Sequence, residues 1–222
     1  MAPLGWGLLL AAAAAAAVDW WAVWTDTTRA RTVERAAKPA ALLALIGLAV
    51  STPAVTRSAQ PWLVAALACS LAGDILLLPP GRLVPGLVAF LLGHLAYIVA
   101  FAQLPGSVAW LLLGLSMAAA TAITVGRTLV AAAGRVGLGL PVACYLAVIC
   151  AMAAAATRTS IPAAVIGAWL FVASDAMLGW GEFVASAATG GRSGGGPRLR
   201  LGVIATYHVA QALLTLSLLF GG

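Results

Sequence analysis

Charge is what this chain of 222 residues has least of. Asp, Glu, Lys and Arg make up 8% of it, where soluble domains carry about 25%. There are six acids, two histidines and one lysine, Lys38. The three cysteines, Cys69, Cys144 and Cys150, fall inside apolar runs, and their odd number gives no disulfide framework. Two histidines are too few for a three-histidine zinc site, and no His-x-x-x-His occurs. No serine or cysteine nucleophile has a histidine beside it on one helix face. These gaps weigh against zinc amidases and covalent lipases, so no metal and no cofactor is expected. Carboxylates are left as the available acid–base groups.

What the chain has instead is apolar length. Hydrophobic residues make up 63% of it, more than a water-exposed fold can bury, so the solvent is lipid. Basic residues outnumber acids 12 to 6. They stand singly in short loops, as topology-setting charges do, so nucleic acid is not an expected partner. A helix needs about 20 apolar residues to cross the hydrocarbon. On that ruler the spans are 4–24, 37–55, 61–78, 84–103, 107–126, 136–156, 161–183 and 200–220. The expected fold is therefore all-α: one integral membrane domain over 1–222, a bundle of eight transmembrane helices. Two parallel four-helix halves are the expected internal repeat.

Trp20, Trp21 and Trp24 read as an interfacial belt closing a retained first helix. Most prolines, Pro39 among them, fall at span ends, while Pro141 lies inside the sixth span and is expected to bend it. The glycine-rich stretch 185–197 reads as a flexible loop. Ten of the twelve basic residues lie on one side of the spans, with Arg57 and Arg158 on the other. That bias places both termini outside the cytoplasm, in a multi-pass protein of the cell inner membrane.

Against this background two acids stand out. Asp74 in Ser70-Leu71-Ala72-Gly73-Asp74 and Asp175 in Val172-Ala173-Ser174-Asp175 each sit within an apolar span. Each is followed on the next span by a histidine, His94 or His208. At roughly 1.5 Å per residue, His94, Tyr145, Asp175, Tyr207 and His208 share one layer, with Asp74 and Lys38 nearer its surface. Phe90, His94, Tyr97 and Phe101 lie on one helix face, as do Gly167, Phe171, Asp175, Leu178 and Glu182. Taken singly, each polar group has a structural explanation, since a buried Asp can lock two helices by bonding a Tyr or His. Glu182, beside Trp180 at a span end, reads as solvated.

Six motifs in order carry a resemblance. They are Lys38-Pro39; Gly73-Asp74 with Leu77-Leu78-Pro79; Phe90-x-x-Gly93-His94-x-x-Tyr97; Pro141 with Tyr145; Gly167, Phe171 and Ser174-Asp175; and Tyr207-x-x-Ala210-Gln211. In these the chain resembles the YhhN family, membrane proteins that include the animal lysoplasmalogenases. The resemblance implies eight helices and cleavage of the vinyl-ether bond of a lysophospholipid, giving a fatty aldehyde and a glycerophospho-base. It implies Asp74 and Asp175 as the acid–base pair, with Lys38, His94, Tyr97, Tyr145, Tyr207 and Gln211 lining the substrate pocket.

Vinyl ethers hydrolyse through carbon protonation and an oxocarbenium ion, so two carboxyls in different protonation states suit the task. Asp175, the deeper, is expected as acid and Asp74 as base, with the lipid phosphate near Lys38 and Arg82. The rival expectation is a proton- or cation-coupled lipid transporter using the same aspartates.

Overall fold

Lipid offers the backbone no hydrogen-bonding partner, so each apolar run must satisfy its own N–H and C=O groups as a helix. A computed structural model describes residues 2–79, 81–188 and 195–221, and eight helices account for nearly all of them. They are α1 (Pro3–Thr25), α2 (Thr28–Ser51), α3 (Gln60–Leu77), α4 (Leu83–Ala102), α5 (Val108–Gly134), α6 (Gly139–Arg158), α7 (Pro162–Ala185) and α8 (Pro197–Phe220). Helix α5 contains a π turn at Ala122–Gly126, and α7 ends in one at Trp180–Ala185. The expected loop over 185–197 falls largely outside the described residues.

Seven of the eight are long and apolar enough to cross a membrane. The exception is α2, which begins nine residues before the expected start at 37. Arg29, Arg31, Glu34, Arg35 and Lys38 occupy its first half. An apolar-length ruler stops at such charges, but Arg, Glu and Ala are strong helix formers and carry the helix through them. Two proline expectations are reversed as a result. Pro39 is interior to α2, where its missing N–H leaves the Arg35 carbonyl without its helical donor. Pro141 lies in the first turn of α6, where the N–H groups are unpaired in any helix, so the expected bend has no cause there.

Helices α1, α2, α3, α4, α6, α7 and α8 pack in sequence around a ring, with α8 returning to α1 and also touching α2 and α3. Helix α5 lies outside the ring against α6 and turns Leu112, Leu113, Leu115 and Ile123 outward. The α7–α8 seam is close because Gly167 has no side chain. A Cβ there would lie 2.9 Å from Leu213 Cβ and 3.1 Å from the Leu214 nitrogen, the small-residue approach common between membrane helices.

Arg158, expected only as a loop charge, closes the end of the ring opposite Lys38. Its Nη2 donates to the carbonyls of Phe101 (3.0 Å) and Leu104 (2.7 Å). Replacing it by Met leaves the Leu104 carbonyl without its donor, at about 1–3 kcal/mol if it stays dry, while the Phe101 carbonyl keeps the Leu104 N–H at 3.1 Å. Arg158→Met should therefore lower the thermal midpoint of the detergent-purified protein by several degrees. An unchanged midpoint would show that water replaces the guanidinium there.

Candidate active site

The site begins where α2 and α3 meet α8. Lys38, one residue before Pro39, places Nζ 2.9 Å from Asp74 Oδ1, and the Asp74 side chain is 1% exposed. The approach is ionic rather than a well-aligned hydrogen bond, since Oδ1 has no partner of hydrogen-bond geometry. The other oxygen, Oδ2, accepts from Tyr207 Oη at 2.7 Å. The Lys38 ammonium also lies 5.8 Å from the centre of the Tyr207 ring. Gly73 makes room beside Asp74, because a Cβ there would meet the Phe90 ring at 2.6 Å.

A second group lies on α6, α7 and α4. Tyr145 donates its hydroxyl to Asp175 Oδ2, and Asp175 enters no ion pair among the described residues. His94 stacks edge-on against Tyr145 and Phe171, with ring centres 5.4 and 4.7 Å away. Both of its nitrogens are buried with no protein partner among the described residues. Phe171 meets Tyr207 at 5.4 Å on its other side. One aromatic ring thus joins the Asp175 group to the Asp74 group. The two carboxyls make no hydrogen bond to each other; each is held by its own tyrosine. One layer deeper, Tyr97 donates to Gln211 Oε1 at 2.6 Å.

Asp19 on α1 was missed by the sequence reading. It is fully buried, and neither oxygen has a hydrogen-bond partner among the described residues. His208 Nε2 approaches it to 3.9 Å, while Trp20 Nε1 donates to His208 Nδ1 at 3.1 Å. Trp20 therefore turns inward, whereas Trp21 and Trp24 stay exposed as belt residues do. A signal was available, since Ala12, Ala16, Asp19 and Val23 follow helical spacing and form the buried stripe of α1.

Two cavities open at the Lys38 end. A polar mouth of about 500 Å³ is lined by Arg31, Glu34, Arg35, Lys38, Glu182 and Arg200, with Leu77, Leu178 and others. Arg82, expected near the lipid phosphate, does not line this cavity. Its rim is tied together by Arg200, which donates to Asp26 Oδ1 (3.0 Å) and to both Glu34 oxygens (3.1 and 2.9 Å). Slight burial pushes the Asp26 carboxyl up, but a hydrogen bond from Arg31 and the charges of Arg200 and Arg31 outweigh it and hold Asp26 below its ordinary range. The second cavity is a narrow apolar slot of about 50 Å³ between α4, α5, α6 and α7. Asp175 and Tyr145 lie on its wall, and Leu178 and Glu182 line both cavities.

Among the described residues no three His, Cys, Asp or Glu side chains group as metal ligands do. The sequence also holds Gly191-Arg192-Ser193-Gly194-Gly195, the spacing of a hydrolase nucleophile elbow. An elbow needs a strand before it; Gly191, Arg192, Ser193 and Gly194 lie outside the described residues, and the nearest described elements on either side are helices.

Fold and site together define a polytopic helical membrane protein with a buried carboxylate layer beneath a basic mouth. The chain belongs to the YhhN family, which it matches over residues 33–218. Asp19 and Trp20 lie outside that match. The chain is similar to the lysoplasmalogenase TMEM86B of Homo sapiens, at 34% identity over 69% of this chain and 62% of that one. It is also similar to the lysoplasmalogenase of Mycobacterium bovis, at 32% identity over 72% of this chain and 61% of that one. The match thus spans about three fifths of the length of these relatives. No solved structure matches the chain.

Proposed function

We propose that this chain is an intramembrane hydrolase that cleaves the vinyl-ether bond of lysoplasmalogen-like lipids by carboxylate acid–base catalysis. The observation that carries the proposal is the unequal setting of the two acids. Asp74 faces the Lys38 ammonium at 2.9 Å, so it is the carboxylate that can stay ionised in a dry bundle. Asp175 has a tyrosine but no cation among the described residues, and an unpaired buried charge is costly enough that the neutral acid is the favoured form. Two carboxyls driven into opposite protonation states are the arrangement that acid–base chemistry needs. The names of the relatives supply the substrate class.

In this mechanism Asp175 delivers its proton to the β-carbon of the vinyl ether, and an oxocarbenium ion forms at the carbon bonded to oxygen. Asp74, acting with Tyr207, takes a proton from the water that adds there. The resulting hemiacetal collapses as Asp74 passes its proton to the glycerol oxygen of the breaking C–O bond and Asp175 takes the hemiacetal hydroxyl proton, which restores both carboxyls to their starting states. The products are a fatty aldehyde and a glycerophospho-base, and one water is consumed. Tyr145 fixes the Asp175 carboxyl, while His94, with both nitrogens unpartnered, stands ready to hydrogen-bond the ether oxygen or the water. Tyr97 and Gln211 close the floor. The head group occupies the mouth and the vinyl ether lies at the wall of the slot beside Asp175, while the rest of the single chain, far larger than the slot, runs out between the helices into lipid. The basic end would face the cytoplasm, and the lipid would enter from that leaflet.

Detergent-purified full-length protein mixed with a 1-alkenyl lysophospholipid should release aldehyde and glycerophospho-base in equal amounts without any ion gradient. Lipid movement across liposomes that requires a gradient and forms no product would overturn the hydrolase in favour of transport.

A further inference from the structure

Two charged groups at the mouth have no role in this chemistry. Arg31 is held by Asp26 and Arg200 by Asp26 and Glu34, while Lys38 turns inward to Asp74. Arg35, exposed on the same wall, has no ion-pair partner among the described residues. Glu182 lines that cavity too, also without an ion-pair partner among the described residues, and it lines the slot that holds Asp175. A free guanidinium and a free carboxylate therefore share one wet cavity without contacting each other.

Spacing gives the pair a meaning. Glu182 is seven residues beyond Asp175, on the same face of α7. Two helical turns cover about 10 Å, comparable to the reach from the vinyl ether of a lysolipid, through glycerol and phosphate, to the amine of its head group. With the ether at Asp175, the amine would reach Glu182 and the phosphate would lie in the mouth that Arg35 lines. Guanidinium grips phosphate oxygens bidentately. A primary ammonium donates hydrogen bonds to a carboxylate, whereas a quaternary one has no N–H to give and is recognised by aromatic faces instead.

We propose that the mouth is a head-group subsite for a zwitterionic phosphodiester carrying a primary ammonium, with Arg35 binding the phosphate and Glu182 the amine. The placement rests on the reading of Asp175 as the acid, and the test separates the two.

Binding is measured on the full-length protein with saturated alkyl-ether lysolipids, which cannot be cleaved, carrying phosphoethanolamine, phosphocholine or phosphoglycerol heads. The wild type should bind the ethanolamine form most tightly. In Glu182→Gln the ratio of ethanolamine to glycerol affinity should fall about tenfold, with Glu182→Asp retaining part of it, and Arg35→Gln should weaken all three heads about tenfold. An unchanged ratio in Glu182→Gln, or unchanged binding in Arg35→Gln, would overturn the assignment. So would soluble glycerophosphoethanolamine competing as well as the lipid does, because the mouth would then bind phosphodiesters without regard to a tail. Head-group discrimination by a protein that releases no aldehyde from the 1-alkenyl lipid would support the subsite and remove the hydrolase.

Discussion

Asp175→Asn should lower aldehyde release by about 10²–10⁴-fold, the range lost when a positioned acid is removed. An amide cannot hand a proton to carbon, yet its oxygen can still accept from Tyr145, so the variant keeps its fold and its substrate. The loss should appear in kcat, with KM and the binding of the alkyl-ether lysolipid nearly unchanged. Asp74→Asn should fall as far by another route, because the water loses its base. A single Asn variant with full activity would remove that carboxyl from the chemistry. Single-turnover measurement, with the protein in saturating excess over the 1-alkenyl lipid, makes the comparison free of product release.

Asp74→Asn has a second effect that a control must absorb, since it leaves the Lys38 ammonium without its anion. The converse change gives the largest expected loss of stability. Lys38→Met strands a carboxylate that is 1% exposed, and breaking a buried pair from one side costs about 3–5 kcal/mol. At roughly 2–4 °C per kcal/mol for a chain of this size, the thermal midpoint should drop by ~6–20 °C. The double variant Lys38→Met/Asp74→Asn removes both charges and should regain most of that stability while staying inactive. If Lys38→Met were as stable as the wild type, Asp74 would be neutral in the native protein, and its role as base would go with the ion pair.

These expectations depend on unequal pairing, and little of that pairing could be read from the chain. Asp74, Asp175, His94 and Tyr145 are conspicuous as sequence because polar groups inside apolar spans are rare and costly. Nothing local says that Tyr207 bonds Asp74 while Tyr145 bonds Asp175, since that depends on which helices adjoin in the ring. Asp19 escaped for a different reason. It stands next to Trp20 and Trp21, and a tryptophan cluster followed by charge signals an interface, although Trp20 and Asp19 turn inward together. Arg158 likewise carries a charge that counts for topology and a guanidinium whose acceptors lie more than fifty residues away.

The amino-acid sequence by itself determined that this protein lives in lipid, that it is all helix, and roughly where seven of its helices run. Those follow from transfer free energy and backbone hydrogen bonding, which act on each segment alone. Only the tertiary structure decided that α2 runs through its charges, that α5 stands outside the ring, and that a mouth and a slot meet at Leu178 and Glu182. It also decided which acid has a cation beside it. Those are relations between faces of different helices, set by small residues such as Gly73, which admits the Phe90 ring, and Gly167, which lets the α7 and α8 backbones approach, and hydropathy along one strand of sequence carries no information about them.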